Sequence, residues 1–114
     1  VELHILNAKK ANVLQMVVPG STIGDSLKSI ALAGAYPNVL FPTAGIHPYN
    51  ALSIENLSSD VRKLEKLVEE NETVRCVGEI GLDFSEGFPE RSNQVPYFEE
   101  QLKVAVSFGK PLFL

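Results

Sequence analysis

Short apolar segments alternate along the chain with longer segments in which apolar residues recur at helical spacing. The apolar segments predict β-strands, because they are rich in β-branched residues and end at Pro, Gly or a His-Pro pair. We place the four predicted strands at Val13–Val18, at Val39–Ile46, within Val74–Phe84 and from Pro111 to Leu114. Their near-continuous apolar character is typical of a parallel sheet that is covered on both faces.

The segment after the first strand predicts an amphipathic helix. Thr22 and Asp25 have the spacing of a capping box, in which the Asp25 carboxylate is expected to reach back to the cap. One helix face then carries the apolar residues Ile23, Leu27, Ile30 and Ala31. Gly34 and Pro37 are expected to end this helix.

A second helix is predicted between the middle strands. Its apolar stripe consists of Leu57, Val61, Leu64 and Val68. The candidate caps at its start are Ser58, Ser59 and Asp60, whose side chains can accept a hydrogen bond from a free backbone N–H. The acidic stretch from Glu65 to Glu72 is expected to form its solvated face.

A third helix is predicted before the last strand. Asn93 is its candidate cap, Pro96 is expected in its first turn, and Gly109 is expected to end it. Its predicted apolar stripe consists of Phe98, Leu102, Ala105 and Val106. Residues 1–10 indicate the end of an earlier helix. The alternation of strands and helices predicts an α/β fold whose strands run parallel.

The composition is that of one globular domain spanning residues 1–114. Hydrophobic residues make up 45% of the chain and charged residues 21%, which excludes a disordered chain. No apolar run approaches the roughly 18 residues of a membrane span, so no membrane partner is expected. Cys76 is the only cysteine, which excludes an intramolecular disulfide, and it is expected to be a small buried apolar side chain. We therefore expect an intracellular protein, cytoplasmic or nuclear.

Length adds a further constraint. A chain of 114 residues is too short for a complete (β/α)8 barrel, which takes roughly 200 residues or more. The chain begins inside an apparent helix and ends within an apolar strand. We therefore expect it to be an internal part of a longer protein.

Candidate functional residues follow three of the predicted strands. In parallel α/β folds, sites form at the carboxyl ends of the strands, so polar side chains there share one edge of the sheet. Ser21 follows the first strand, His47 follows the second, and Glu79 and Asp83 lie at the end of the third. Glu79 is the strongest candidate, because a carboxylate inside an apolar strand costs several kcal/mol unless it is paired or binds a metal.

Each candidate also has an ordinary structural interpretation. Glu79 is equally well explained as a strand-end carboxylate that pairs with Arg or Lys from a neighbouring loop. Asp83 is explained as a turn or cap residue, and His47 as a hydrogen-bonded loop residue. Ser21 is explained as part of a helix cap, although a helix start after a glycine also suits a phosphate. Spacing alone leaves these alternatives open.

The order of four motifs carries more information than any one of them. They are VVPGS at Val17–Ser21, TAGIHP at Thr43–Pro48, VGEIGLDF at Val77–Phe84, and a last series made of Gln94, Phe98, Gln101, Leu102, Ala105 and Lys110–Leu114. In this order and at this separation they closely resemble the TatD family, which are metal-dependent deoxyribonucleases with an amidohydrolase-like barrel. The resemblance covers nearly the whole chain.

The resemblance implies a partial (β/α)8 TIM barrel, about strands 2 to 5 of eight. It implies that Glu79 is a metal ligand, bridging two ions where both are bound, and that His47 is a catalytic residue close to the substrate. Ser21 is then expected near the site, and Asp83 is expected to orient the residues that bind the metal without binding it itself. The expected cofactors are divalent Mg, Mn or Zn ions, one or two in the complete protein.

The resemblance also implies DNA as the partner and attack of a metal-bound hydroxide on its phosphodiester. Ten Lys and Arg against fourteen Asp and Glu give a net charge of −4, which by itself argues against a broad nucleic-acid surface. Bound metal ions weaken that objection, because they bring positive charge to the place where the phosphate binds.

Most of the family's metal ligands have no match in the chain. The His-x-His motif is absent, His4 does not correspond to it, and the His that follows the segment Lys110–Leu114 in the family falls beyond residue 114. One carboxylate does not hold a catalytic divalent ion tightly, so we expect the 114 residues alone to be inactive.

Two alternative functions remain open: a non-catalytic β/α scaffold or interaction protein, and a metal-dependent hydrolase of another substrate, such as an amide or ester. The oligomeric state is left open.

Overall fold

In the computed structural model, which describes residues 1–114, four parallel strands form one sheet in the order β1-β2-β3-β4. The strands are β1 (Met16–Val18), β2 (Leu40–Ala44), β3 (Cys76–Gly78) and β4 (Leu112–Phe113). The helices are α1 (Glu2–Lys10), α2 (Ile23–Ala35), α3 (Leu57–Glu70) and α4 (Arg91–Phe108). Each strand pairs with its neighbour in sequence across an intervening helix, which confirms the predicted α/β fold with parallel strands.

The main core lies where α3 and α4 pack against the sheet. Ala44 of β2 and Val77 of β3 are fully buried, and α3 contributes the equally buried Leu64. The predicted stripe of α3 is confirmed, because Val61, Leu64 and Val68 are buried and Leu57 packs against the same cluster. None of the helices is long and apolar enough to cross a bilayer.

The first strand is shorter than predicted. It begins at Met16 rather than Val13, because Asn12 adopts the left-handed conformation (φ 64°) and the Val13 N–H bonds back to Ala8 of α1. The first ladder bond of the strand runs from Met16 N–H to the carbonyl of Val39. The exposed residues 13–15 are therefore a connection and not part of the sheet.

Two of the predicted helix starts need correction. Thr22 does cap α2, accepting from Asp25 N–H at 2.9 Å, but the Asp25 carboxylate accepts from the Ser21 hydroxyl at 2.7 Å instead of reaching back to the cap. Helix α3 begins at Leu57, so the predicted caps lie inside it. One of those, Asp60, accepts from the Tyr97 hydroxyl at 2.7 Å.

The start and the buried face of α4 also differ from the prediction. The helix begins at Arg91, so Asn93 lies inside it and bonds to the backbone of Leu52 and Ile54 rather than capping. Pro96 consequently falls in the second turn. The buried face consists of Gln94, Tyr97, Gln101, Val104 and Ala105. Val106 points outward with 83% exposure, whereas the predicted end at Gly109 is confirmed by its left-handed φ of 62°.

Cys76 is half-buried rather than fully buried, and its thiol is free. It pairs in register with Thr43, whereas the next residue, Val77, points into the helix-covered core. Because side chains alternate across a strand, Cys76 faces the opposite side of the sheet from this core.

Candidate active site

The carboxyl ends of β1, β2 and β3 meet at one edge, and backbone bonds join them. The Glu79 N–H donates to the carbonyl of Gly20 at 3.0 Å, and the His47 N–H donates to the carbonyl of Ser21 at 3.0 Å. The turn after β1 therefore fixes the residues that follow both β2 and β3. The predicted candidates are brought to one edge, as expected for a parallel sheet.

Glycines allow this close approach of the strand ends. A Cβ on Gly45 would come within 2.7 Å of the Gly78 backbone, and a Cβ on Gly78 would overlap the carbonyl oxygen of Phe113. Gly78 also has φ 142°, which side chains rarely adopt. By contrast, the space beside Gly81 is open. Gly45 and Gly78 are therefore needed where β2, β3 and β4 converge.

Glu79 and His47 face each other across an open cleft of about 380 Å³. The distance between Glu79 Oε1 and His47 Nε2 is 3.6 Å, and the two side chains are 38% and 28% exposed. Glu79 lies directly after β3 and not within it, so it is less buried than its apolar neighbours led us to expect. No Lys or Arg lies within ion-pair distance of Glu79, so the predicted alternative of a Lys or Arg partner is not observed.

The orientation of the His47 ring is fixed from the other side. Its Nδ1 accepts a hydrogen bond from Tyr49 N–H at 3.1 Å, so the neutral ring carries its proton on Nε2, the atom that faces Glu79. The ring also lies 6.4 Å from that of Phe88, which packs edge-on against Tyr49. His47 is thus held as a proton donor directed into the cleft.

Asp83 lines the same cleft and forms a local turn. Its carboxylate accepts from Ser85 N–H at 2.9 Å. Hydrogen bonds from Ser85 hold the pKa of the Asp83 carboxyl below its usual range, and the nearby His47 lowers the pKa further. The turn interpretation of Asp83 is therefore observed together with its position beside the site.

Ser21 reaches the site through its backbone. Its hydroxyl donates to Asp25, while its carbonyl accepts from both His47 N–H and the Asn50 side-chain amide, the latter at 2.9 Å. His4 lies on α1, which buries no residue, so it plays no part in the cleft. Thr22 rather than Ser21 caps α2, so Ser21 supports the helix start only through Asp25.

Two buried glutamines of α4, which were not among the predicted site residues, contact the loops of the cleft. Gln101 bonds to the backbone of Ile46, and Gln94 bonds to the backbone of Asp83. Each is 1% exposed. The available signal was the recurrence of glutamine two helical turns apart within an otherwise apolar and aromatic face.

The donor set of the cleft suits part of a metal centre. A carboxylate oxygen and an imidazole nitrogen are common ligands of divalent ions, but no group of three His, Cys, Asp or Glu side chains able to hold a metal occurs in residues 1–114. Because Nε2 of the neutral His47 carries a proton, Glu79 is the only side chain of the pair ready to ligate a cation. A complete site needs further ligands from outside these residues.

Comparison with known proteins identifies the fold. The family model of TatD related DNase matches residues 2–114. The chain belongs to the TatD DNase family. The crystal structure of the TatD homolog YJJV from Escherichia coli k12 superposes with a TM-score of 0.85 at 29% identity, covering 97% of this chain and 42% of that chain. The four parallel strands are therefore part of a TatD-type barrel, as the sequence resemblance implied.

Curated TatD relatives support the same family assignment. The 3'-5' ssDNA/RNA exonuclease TatD of Edwardsiella piscicida is 36% identical over 111 residues, which cover 96% of this chain and 41% of the relative. The protein of the same name from Yersinia pseudotuberculosis is 33% identical over 107 residues, or 94% of this chain and 40% of the relative. The chain thus spans about two fifths of the length of the TatD proteins that it matches.

Proposed function

We propose that these residues are part of a TatD-type, metal-dependent nuclease that hydrolyses phosphodiester bonds in single-stranded nucleic acid. Family membership supports the reaction class, and the relatives named as 3'-5' ssDNA/RNA exonucleases support the substrate. The cleft lies at the carboxyl edge of the parallel strands, where barrel enzymes carry their active sites. The amide or ester alternative gains no support from these relatives, and neither does a nuclear location, because both relatives are bacterial.

Glu79 is the residue of this chain that holds the metal. Its side chain is partly exposed, faces the cleft and lacks a Lys or Arg partner, so a divalent cation is the partner that balances its charge. A divalent ion of the Mg, Mn or Zn type supplies positive charge that draws in a phosphate and makes a water molecule more acidic. One ion or two both suit a carboxylate with two oxygens.

His47 acts on the substrate and not on the metal, and this orientation carries the proposal. With Nδ1 bonded to Tyr49 N–H, the Nε2–H group points into the cleft beside Glu79. From there it donates a hydrogen bond to a phosphate oxygen of the substrate. Asp83 lines the same cleft as His47, and hydrogen bonds from Ser85 hold the pKa of its carboxyl below the usual range.

Ser21 has a supporting role in this proposal. Its carbonyl fixes the position of His47, and its hydroxyl is already engaged by Asp25. A Ser21→Ala change should therefore affect activity less than a change at His47 or Glu79. The charge of the phosphate is met by the metal and His47, which is compatible with the net charge of −4.

The proposal is tested with a full-length protein that contains these residues. Purified protein is incubated with a 3'-labelled single-stranded DNA or RNA oligonucleotide and Mg²⁺ or Mn²⁺, with and without a chelator. Release of nucleotides that stops when the metal is removed supports the proposal, and the 114-residue chain alone is expected to release none. Absence of cleavage by the metal-loaded full-length protein would overturn it.

A further inference from the structure

Gln101 of α4 holds the residue that precedes His47. Its Oε1 accepts from Ile46 N–H at 2.7 Å, and its Nε2 donates to the Ile46 carbonyl at 3.1 Å. The same Nε2 donates to the carbonyl of Tyr97, also at 3.1 Å, which closes the contact back onto the helix. One side chain therefore binds both backbone groups of the residue adjacent to His47.

Gln94 repeats this arrangement at the other site loop. Its Oε1 accepts from Asp83 N–H at 2.8 Å, and its Nε2 donates to the Asp83 carbonyl at 2.6 Å and to the Pro89 carbonyl at 2.7 Å. Both glutamines are only 1% exposed, and every buried side-chain polar atom of the chain has a partner. Five hydrogen bonds thus join one helix to two loops of the cleft.

The spacing of the two glutamines relates the two loops to each other. They lie seven residues apart, which is close to two helical turns and about 10 Å along one face of α4. A helix is stiff, so loops bonded to two points on it keep a constant separation. The loop with His47 and the loop with Asp83 both line the cleft that contains Glu79.

We propose that Gln101 and Gln94 are positioning residues, which set His47 and Asp83 relative to Glu79 by binding the backbone of their loops. Apolar side chains of similar size would fill the same space, so packing alone does not explain two amides whose hydrogen bonds are all satisfied. Neither glutamine lines the cleft, so each acts only through the loop that it holds. The catalytic part of this inference rests on the proposed nuclease function.

A double-mutant cycle tests the proposal in the full-length protein. Gln101→Met keeps the size of the side chain and removes its hydrogen bonds. Because a displacement of about 1 Å can cost roughly 100-fold in rate, we expect kcat on a single-stranded oligonucleotide to fall about 10- to 100-fold, with KM changed less than about threefold. In a His47→Ala background the same change is expected to lower kcat less than about threefold, because the residue that it positions is gone.

The matched control is Gln15→Met, the same substitution at an exposed glutamine in the loop before β1. It is expected to leave kcat within about twofold. Losses from Gln101→Met and His47→Ala that multiply would overturn the positioning role, because a general loss of folding does not depend on His47. If Gln101→Met does not fold, Gln101→Glu replaces it, since a carboxylate still accepts from Ile46 N–H but lacks the two donated bonds.

A second measurement does not depend on hydrolysis, so it separates failure of this inference from failure of the proposed function. In NMR spectra, Gln101→Met is expected to speed hydrogen exchange of the Ile46 amide at least about tenfold and to shift the His47 ring signals. Gln94→Met is expected to do the same to the Asp83 amide only. Unchanged exchange, or equal effects of both variants at both loops, would contradict the inference even in an active enzyme.

Discussion

The core that packs against β3 and the cleft at its carboxyl end contain different kinds of side chains. Toward α3 and α4, Val77 lies in a core made of apolar residues, and Leu64 is fully buried against it. At the carboxyl end of the same strand, Glu79 stands in an open cleft with His47 at 3.6 Å. Backbone bonds, the two glutamines of α4 and Ile80, which is buried in the core and also lines the cleft, join the two regions.

The residues that stabilise the fold are therefore different from the residues that form the cleft. The core gains stability by removing apolar surface from water, at roughly 25 cal/mol per Å². The cleft leaves a carboxylate and an imidazole partly solvated and without mutual hydrogen bonding, because 3.6 Å exceeds a normal hydrogen bond. Changes in the cleft should therefore affect activity without affecting folding, and changes in the core should do the reverse.

The largest expected effect is that of Glu79→Gln on activity. The amide keeps the shape but loses the charge that binds a divalent ion, and loss of groups behind a ligand already costs about 10- to 100-fold. We expect full-length protein to lose at least about 100-fold in metal-dependent cleavage, with a urea unfolding midpoint close to that of the wild type. The control is Glu70→Gln on the exposed face of α3, which should change neither quantity. Full activity of Glu79→Gln would exclude a metal role for this residue.

Leu64→Ala should have the opposite outcome. It removes a fully buried side chain from the core and is expected to lower the free energy of unfolding by about 2–5 kcal/mol, while the folded protein keeps its activity. Urea unfolding curves measure the first quantity, and initial rates well below the midpoint measure the second. Val106→Ala on the outer face of α4 is expected to cost less than about 0.5 kcal/mol. A larger loss at Val106 than at Leu64 would refute the observed core.

A smaller effect is expected at Tyr97, which joins α4 to α3. Burial, and then its hydrogen bond to Asp60, raise the pKa of the Tyr97 hydroxyl above its ordinary value of 10.0. In the unfolded chain this hydroxyl ionises near pH 10, whereas in the folded protein it stays protonated to higher pH. The stability that Tyr97 contributes is therefore complete below pH 10 and falls as pH rises above it.

Tyr97→Phe tests whether the pKa of the Tyr97 hydroxyl is higher in the folded protein than in the unfolded chain. It removes a hydrogen bond to a carboxylate and should cost about 1–2 kcal/mol at pH 8, since Asp60 loses its partner. The gap between wild type and variant in urea unfolding should narrow between pH 9 and pH 11. A gap that stays constant or widens over this range would contradict the raised pKa.

The sequence predicted the strands and the buried face of α3 better than the element ends and the buried faces of α2 and α4, where Leu27 and Val106 are exposed. Hydrophobic spacing located all four strands and the stripe of α3, because burial of apolar residues follows the helical and strand periods. It misplaced the cap of α4, because Asn93 finds partners in the distant residues Leu52 and Ile54. Such long-range bonds have no local sequence signal.

The candidate site was also predicted only in part, because long-range contacts complete it. Strand ends and the family resemblance pointed to Glu79, His47, Asp83 and Ser21, and the structure brings the first three into one cleft. The direction of the His47 proton depends on Tyr49 N–H, and the positions of both loops depend on Gln94 and Gln101. These contacts join segments up to 55 positions apart, so spacing along the chain did not reveal them.

The most direct test of the central claim, that Glu79 is this chain's contribution to a metal centre, is a calorimetric titration of Mn²⁺ into full-length protein. The wild type and Glu79→Gln are compared at equal concentration and pH. We expect the variant to bind Mn²⁺ at least about tenfold more weakly while remaining folded. Equal affinity in the two proteins would contradict the account.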